Sequence, residues 1–535
     1  MRWVFAALVA ILLLVRVPSL AQPAGGDQGL YAYVGQAIAR GELPYRDAWD
    51  QKPPAIHYTY ALMFRIWPNE SVVAATDLLL AGLVAILLVP IGRRLSGQRG
   101  PGEVAALLFL LLGNPAFGRL GGVWVRAQCE TFIAAAVAAA VLSSLGAASG
   151  EEEATRASAR RGLGGAVLAG VFIGIAFLYK YNAAVYLVVP AGVVVVALWQ
   201  QREPRRRGRL LWRHLSALLA GFLAPLAVAA MLFAAAGGLH DLVDATVVYN
   251  LQYSGETYAG LAAALRYLIA FPIRYARIDS LWLLGGVGSA ALLLLSARVP
   301  RRVIAPVWVA AACVAIAING SRGLPQYFVQ AAPALSLAAG FAAVLAWSAL
   351  GTAGRLVFVT LLVVAVLRVS PFDKAIDATL YDTRFLRGRV PAREYLARFG
   401  GQRPTDKFSA LATRELGDYL RARTRAADRV LVFGFSAGAY VRADRLSASR
   451  FFWSRPVLVG FNEGEPGYGA SGLLAELKAA RPKIVVLQQH DWPAERTDSA
   501  TYFLSTPSLA GWLHSEYEPV ADTGTYLIWA RRSAG

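Results

Sequence analysis

The feature that most constrains this chain is a series of long apolar runs that fills residues 1–370 and then stops. A helix that crosses the hydrocarbon core of a bilayer needs about 20 predominantly apolar residues. Eleven runs approach that length, so the pattern predicts a polytopic α-helical membrane protein with about 11 transmembrane helices. The predicted spans are 3–21, 71–92, 103–118, 129–148, 163–179, 183–200, 214–237, 280–297, 303–319, 328–350 and 356–370.

Composition separates the rest of the chain from this membrane part. Of 535 residues, 56% are hydrophobic and 16% are charged, whereas soluble proteins carry about 25% charged residues. Residues 371–535 hold 23 Lys/Arg and 18 Asp/Glu and resemble a soluble domain. The stretches RVLVFGF and KIVVLQQ predict buried strands there, and a hairpin is expected near 522–524. We therefore expect a transmembrane domain, 1–370, and a small α/β domain, 371–535.

The net charge of +19 would suit a nucleic-acid partner, but its distribution indicates membrane topology instead. With the N-terminus in the cytoplasm, the short cytoplasmic loops carry 16 arginines and the short outer loops carry only four Lys/Arg. Membrane proteins show this excess on the cytoplasmic side. The expected location is the cell (inner) membrane, with 371–535 outside the cytoplasm and no nucleic-acid partner. Residues 1–21 also resemble a cleaved secretory signal, which would leave the later spans oriented as before.

The predicted first outer loop, residues 22–70, is the densest polar region of the membrane part. Asp27 follows the first span almost at once, where partial removal from water raises a carboxylate pKa and suits a general base. Asp is also a favoured N-cap, so a capping role stays open. Apolar residues at helical spacing in 31–38 predict an amphipathic helix along the membrane surface. Lys52 precedes two prolines, which predict an extended segment. Its ammonium group either binds a phosphate or extends to the aqueous interface as that of an ordinary surface lysine.

This loop resembles the first outer loop of polytopic GT-C glycosyltransferases, through the stretch D-Q-G-x-Y-x-Y-x-G-Q-A-I-A-x-G-x-x-P-Y-R-D-x-W-D-x-K-P-P-x-I-x-Y. It is most similar to the bacterial family 39 type, which is related to protein O-mannosyltransferases and lipid A aminoarabinose transferases. AQCETF, GIAFLYK and RGLPQYFVQAAPALSLAAG resemble later motifs of the family. The resemblance implies the GT-C architecture. It also implies an inverting transfer of a sugar from a polyprenyl phosphate donor to a hydroxyl acceptor on a lipid, glycan or protein, at the outer membrane face.

The resemblance assigns roles to individual residues. Asp27 matches the catalytic base of the family, and Lys52 matches a lysine that contacts the lipid phosphate. Tyr327 matches a tyrosine near the same phosphate, and Glu130 matches a second acidic residue that helps to orient the acceptor or the base. The further candidates are Arg274 or Arg277 for the phosphate, Asp50, and Lys180, which either touches the donor or anchors a helix at the interface.

Some residues bear on metal dependence. Gln28 and Gln51 stand where related proteins often have Glu, and the outer loops contain no D-x-D motif, which argues against a metal-bound diphosphate donor. The histidines are spread along the chain, and the two cysteines lie in apolar runs, so neither predicts a metal site. No cofactor is expected, and the pattern does not indicate a divalent metal.

Three other functions are weighed against glycosyl transfer. A membrane transporter or lipid flippase of the cell envelope should show repeated halves or charges near mid-membrane, and an envelope scaffold protein would work through its outer domain alone. The third is a serine hydrolase, because Ser436 lies in a G-x-S-x-G pattern after a predicted strand, with Asp491 and His514 downstream. Too few βα units follow Ser436 for a hydrolase fold, so a glycine-rich turn is favoured.

Overall fold

The computed structural model describes residues 2–149, 156–200, 204–255, 257–295, 299–403, 406–492 and 497–532. The chain divides into two compact units, each assembled from several segments. Unit 1 comprises Met1–Ser19, Ala74–Leu232 and Leu251–Tyr381, and unit 2 comprises Leu20–Val73, Phe233–Asn250 and Asp382–Gly535. Unit 1 takes up most of the expected 1–370 domain. Unit 2 combines the expected 371–535 domain with two segments from earlier in the chain.

The described residues are mostly helical, with four short strands. The first twelve α-helices are α1 (Arg2–Leu14), α2 (Gly26–Ala39), α3 (Ala55–Ile66), α4 (Ser71–Ser96), α5 (Gly100–Leu112), α6 (Cys129–Ser149), α7 (Arg156–Tyr179), α8 (Val188–Trp199), α9 (Pro204–Ala235), α10 (Leu239–Val243), α11 (Tyr249–Gly255) and α12 (Leu261–Tyr275). The others are α13 (Ser280–Leu295), α14 (Ile304–Ile318), α15 (Ala332–Ala349), α16 (Thr352–Val369), α17 (Phe372–Leu386), α18 (Ala392–Ala397), α19 (Ala410–Arg423), α20 (Gly438–Ala443), α21 (Arg455–Leu458), α22 (Gly469–Ala480), α23 (Ser499–Ser505) and α24 (Pro507–Glu516). The strands are β1 (Val430–Phe433), β2 (Ile484–Gln488), β3 (Tyr517–Asp522) and β4 (Tyr526–Arg531).

The helices confirm a polytopic membrane protein. Within the described ranges, nine helices are long and apolar enough to cross a membrane. The predicted run 280–297 corresponds to α13, which forms with α12 a pair bent by 113° that counts as one further span at most. The predicted run 103–118 corresponds to α5, whose 13 residues are too few to span a bilayer. All eleven predicted runs therefore contain apolar helix, and the difference in count comes from one bent and one short element.

Unit 1 packs its helices through small residues. Helix α15 contacts both α13 and α5, and its residues from Ala332 to Phe341 are all buried. A Cβ atom on Gly288 would lie 2.5 Å from the carbonyl oxygen of Ala338, and one on Gly340 would lie 2.6 Å from that of Pro101. Glycine is required at both crossings because membrane helices associate by close backbone packing. Helix α16, in contrast, has no buried residue, as expected for an apolar helix that faces lipid.

Unit 2 contains a four-stranded sheet with the order β1-β2-β4-β3. Strands β1 and β2 pair in parallel, with Val430 opposite Ile484, and β4 runs antiparallel to both of its neighbours. Every residue of β1 and β2 is buried, which is typical of parallel strands in α/β folds. The sheet confirms the two predicted buried strands and the predicted C-terminal hairpin.

The predicted first outer loop folds together with C-terminal residues inside unit 2. The backbone N–H of Ser447 donates to the hydroxyl of Tyr33 at 2.9 Å, and the indole N–H of Trp453 donates to the carbonyl of Trp49 at 3.0 Å. Helix α2 is present as predicted, but its residues from Leu30 to Gly35 are buried within this unit. The apolar side chains of α2 therefore contribute to the core of unit 2 instead of lying on a membrane surface.

Candidate functional site

Asp27 lies in the first turn of α2 in unit 2 and is half-buried. The N-cap of α2 is Gly25, so the proposed capping role of Asp27 is wrong. A carboxylate in the first turn remains favourable there, because the helix N-terminus carries a partial positive charge. The structure therefore excludes Asp27 as the N-cap and leaves it in a position where a carboxylate also stabilises the helix.

Lys52 is held in place through its backbone. The hydroxyl of Tyr45 donates to the carbonyl oxygen of Lys52 at 2.8 Å, and the side-chain amide of Asn250 donates to that of Gln51 at 2.7 Å. Two prolines follow, and the second of them, Pro54, is the N-cap of α3. A backbone fixed on both sides restricts where the half-buried ammonium group can reach.

Sequence reasoning missed His57 as a partner in this region. His57 is fully buried, and its Nε2 lies 3.4 Å from Oδ2 of Asp50, which is also buried. The other oxygen of Asp50 accepts the backbone N–H of Gln51 at 2.7 Å. Six residues lie between Asp50 and His57, across two prolines and the start of α3. Neither helical nor strand periodicity predicts that Asp50 and His57 are in contact. The one available signal was that His57 is a polar residue at the start of a helix.

The electrostatics of this pair follow from burial. Burial raises the pKa of Asp50 from 3.8 to about 7; the Lys52 ammonium opposes this shift and the Asp27 carboxylate adds to it. Burial also lowers the pKa of His57 to about 3. At neutral pH His57 is therefore neutral, and Asp50 is close to half-protonated. Because the charges of Asp27 and Lys52 both act on Asp50, the three groups share one electrostatic neighbourhood in unit 2.

A second cluster lies in unit 1 and joins three residues that the sequence placed far apart. Glu130, in the first turn of α6, accepts from Lys180 Nζ, which follows α7, at 2.6 Å. The same Nζ lies 4.2 Å from the ring centroid of Tyr327, in the short 3-10 helix Pro325–Ala331. Glu130 and Tyr327 are buried, and the Lys180 side chain is 16% exposed. The ammonium of Lys180 thus connects the carboxylate to the aromatic ring.

The two arginine candidates stand apart from this cluster. Arg274 lies in the last turn of α12, Arg277 follows it, and both are exposed. Within the described part of unit 1, neither forms a hydrogen bond or an ion pair with Lys180 or Tyr327. A phosphate-binding role for either arginine stays a prediction.

The G-x-S-x-G turn of unit 2 does not form a hydrolase site. The buried hydroxyl of Ser436 donates to Oε1 of Gln488 at 2.9 Å and lies 2.7 Å from the hydroxyl of Tyr526. Asp491 accepts from the hydroxyl of Ser499 at 2.6 Å. The ring of His514 packs against Trp529. The three hydrolase candidates therefore bind other partners, as the interpretation of a structural turn predicts.

The chemistry available in the two clusters is that of charge and proton transfer. Unit 2 offers a half-buried carboxylate and a lysine, and unit 1 offers a compensated carboxylate beside a tyrosine. In the residues that the structure describes, no group of three or more His, Cys, Asp or Glu side chains is placed to hold a metal ion.

Comparisons with known proteins give the fold. Residues 51–233 match the family model of dolichyl-phosphate-mannose-protein mannosyltransferases. No protein of curated function has a matching sequence. The crystal structure of ArnT from Cupriavidus metallidurans bound to undecaprenyl phosphate matches with a TM-score of 0.59 and 18% identity, over 99% of this chain and 98% of that one. The archaeal oligosaccharyltransferase AglB from Archaeoglobus fulgidus, in complex with an inhibitory peptide and a dolichol-phosphate, matches with a TM-score of 0.54 and 12% identity, over 99% of this chain and 74% of that one.

At 18% and 12% identity, these matches establish the fold only, so the activity has to be inferred from the residues of the site. The helical fold, the small C-terminal sheet and the family match over residues 51–233 agree with the resemblance that the first-loop motif shows. Residues 51–233 thus resemble a mannosyltransferase family, and the chain has the fold of the ArnT and AglB structures.

Proposed function

We propose that this protein is an inverting glycosyltransferase that moves a sugar from a polyprenyl phosphate donor to a hydroxyl acceptor at the outer face of the cytoplasmic membrane. The observation that carries the proposal is the placement of two residues in unit 2: Asp27 lies half-buried in the first turn of α2, and the backbone carbonyl of Lys52 accepts from the Tyr45 hydroxyl at 2.8 Å. The proposed general base and the proposed phosphate-binding cation thus both belong to unit 2, and both influence the pKa of the buried Asp50. Two matched folds support a lipid-linked donor, because the ArnT structure contains undecaprenyl phosphate and the AglB structure contains dolichol-phosphate.

In the proposed reaction the acceptor hydroxyl attacks the anomeric carbon of the donor sugar. The bond between that carbon and the phosphate oxygen breaks, and polyprenyl phosphate leaves with the electron pair. Asp27 takes the hydroxyl proton, and Lys52 stabilises the charge on the departing phosphate. A single displacement inverts the anomeric configuration. A lipid-linked donor is required because soluble nucleotide sugars are not expected outside the cytoplasm.

Residues of unit 1 receive separate roles in the proposal. The family resemblance assigns Tyr327 and Arg274 or Arg277 to a lipid phosphate, and it assigns Glu130 to a second acidic position. The 2.6 Å ion pair gives Lys180 a role that the sequence left open, because it holds the Glu130 carboxylate in one position. We therefore propose Lys180 as a positioning residue for Glu130.

The test is the release of polyprenyl phosphate by the purified protein in lipid nanodiscs, supplied with a panel of polyprenyl phosphate sugars and a crude envelope extract as acceptor. Asp27→Asn should lower release by at least about 100-fold, because general-base catalysis contributes about that much or more. Asp47→Asn is the matched control. Asp47 is also half-buried in the same loop, and its carboxylate accepts the backbone N–H of Leu43 at 2.8 Å and pairs with the neighbouring Arg46 at 3.2 Å. This variant should keep wild-type release.

Full release by Asp27→Asn would remove the proposed base. No release from any donor by folded protein would favour a transporter or flippase, and flux of the same lipids across liposomes would then decide. The proposed orientation predicts that cysteines introduced in 371–535 react with an impermeant maleimide in intact cells, whereas protection of those cysteines would reverse it.

A further inference from the structure

Unit 1 contains a cavity of about 300 Å³ that the proposed reaction does not use. Its wall is mainly apolar and aromatic, with Phe109, Phe117, Trp282 and Phe328 among the lining residues. Cavities that bind small molecules combine such a wall with a few polar groups that fix one end of the ligand. Tyr327, Arg274 and Arg277, the proposed phosphate residues of this unit, do not line it. The charged side chains that line it are Arg16, Asp77, Arg119 and Asp279.

Arg16 is the unusual member of this set. Its side chain is 3% exposed, and one of its terminal nitrogens, Nη2, donates to Oδ2 of Asp77 at 3.1 Å. Its Nε and Nη1 are buried and have no hydrogen-bond partner among the residues that the structure describes. A guanidinium group presents its N–H donors in a planar fork that fits two oxygens of one phosphate or carboxylate. Arg16 therefore places at the cavity wall a buried guanidinium group with two donors that have no hydrogen-bond partner among the described residues.

The carboxylate that Arg16 binds has other partners. Nη1 of Arg126 lies 3.6 Å from the same Oδ2 that Arg16 binds, and Oδ1 of Asp77 accepts the backbone N–H of Ala127 at 3.4 Å. Asp77 therefore does not serve Arg16 alone. The carboxylate of Asp279 is already engaged at the N-terminus of α13, where it accepts the backbone N–H groups that follow it at 2.8 and 3.2 Å.

We propose that this cavity binds the phosphate-bearing head of an anionic lipid. Arg16 Nε and Nη1 donate to the phosphate oxygens, and the first part of the hydrocarbon chain lies along the aromatic wall. Arg16 follows helix α1 and lies five residues before the end of the first span, Arg2–Ala21, and Asp77 lies in the first two turns of α4, so both stand near the ends of spans. Lipid headgroups occupy that level of a bilayer, and ionisable residues there are candidates for lipid or substrate binding.

The experiment measures thermal stability of the delipidated protein in a neutral detergent while phosphatidylglycerol, diacylglycerol or inorganic phosphate is added. Phosphatidylglycerol should stabilise the wild type, and neither diacylglycerol nor inorganic phosphate alone should do so. Arg16→Gln should weaken the apparent affinity for phosphatidylglycerol by about tenfold, equivalent to about 1.4 kcal/mol. Arg93→Gln, which changes an exposed arginine in the last turn of α4, should leave that affinity unchanged.

The variant Asp77→Asn tests whether a loss of lipid affinity in Arg16→Gln results from misfolding. This variant keeps Arg16 and removes the carboxylate that competes with the ligand, so it should bind phosphatidylglycerol at least as well as the wild type. Unchanged lipid affinity in Arg16→Gln, or loss of affinity in Asp77→Asn as well, would overturn the assignment. Equal stabilisation by inorganic phosphate would also overturn it, because the site would then recognise a free anion and not a lipid.

Discussion

Each unit buries a carboxylate beside a basic side chain, and the two pairs behave differently because the bases differ. In unit 1, the Glu130 carboxylate lies 2.6 Å from the side-chain nitrogen of Lys180. In unit 2, Asp50 lies 3.4 Å from His57, and burial keeps this imidazole neutral by lowering its pKa to about 3. The partner therefore decides whether a buried carboxylate carries a fixed charge or exchanges its proton near neutral pH.

The difference between the two pairs suits them to different roles. The ion pair of unit 1 suits orientation, because a contact of 2.6 Å fixes the position of the carboxylate. A carboxyl group with a pKa of about 7 suits proton exchange, and Asp50 lies where the Asp27 carboxylate acts on it. The comparison predicts that the Asp50–His57 pair makes the stability of unit 2 depend on pH.

The largest expected effect concerns the Asp50–His57 pair of unit 2. Replacing either residue alone should change how the free energy of unfolding depends on pH. The pKa of Asp50 rises from 3.8 to about 7 on folding, so ionised Asp50 destabilises the folded state, and stability falls as pH increases from about 4 to 7. The pKa of His57 falls from 6.5 to about 3, so stability rises between those values. At about 1.4 kcal/mol for each pH unit, each effect is about 5 kcal/mol, and the two nearly cancel in the wild type.

Replacing one residue of the pair should reveal the pH dependence of stability that the other residue causes. His57→Gln should lose stability as pH rises from 4 to 7, and Asp50→Asn should gain stability from pH 3 to 6.5. The free energy of unfolding in mixed micelles, measured at a series of pH values, reports both slopes. Parallel profiles for the two variants would show that burial does not set these pKa values, and the contrast between the units would then fail.

The second effect concerns the ion pair of unit 1. Lys180→Met leaves Glu130 buried without its cation, which should cost about 3 kcal/mol of unfolding free energy. The double variant Lys180→Met/Glu130→Gln removes both charges and should recover most of that loss. If the single and double variants are equally unstable, the lysine acts through its packing and not through the charge that it compensates.

The architecture was largely predictable, because apolar runs of bilayer length and the asymmetry of arginines depend only on local composition. The buried strands β1 and β2 were predictable for the same reason. What could not be predicted is the assembly of unit 2, in which residues 20–73 fold with residues from the other end of the chain. No local pattern specifies a hydrogen bond such as that between Ser447 and Tyr33.

The site shows the same limit. The first-loop motif singled out Asp27 and Lys52, and a motif could single out Glu130, Lys180 and Tyr327 one at a time. Their meeting at one ammonium group depends on three elements of unit 1 that are remote in sequence. The sequence also left open whether Asp27 caps a helix, and only the backbone conformation at Gly25 excludes that role.

The smallest expected effect tests whether Tyr327 acts through its ring or its hydroxyl. The Lys180 ammonium lies 4.2 Å from the ring centroid, and a partly buried contact of this kind contributes about 1 kcal/mol. Tyr327→Phe keeps the ring, so the unfolding free energy should stay within about 0.5 kcal/mol of wild type, whereas Tyr327→Leu should lose about 1 kcal/mol more. If the hydroxyl contacts the donor phosphate, Tyr327→Phe should nevertheless release polyprenyl phosphate about tenfold more slowly, because one hydrogen bond to a charged group is lost. A Tyr327→Phe variant with normal stability and normal release would limit Tyr327 to holding Lys180, and the fixed charges of unit 1 would then serve positioning alone.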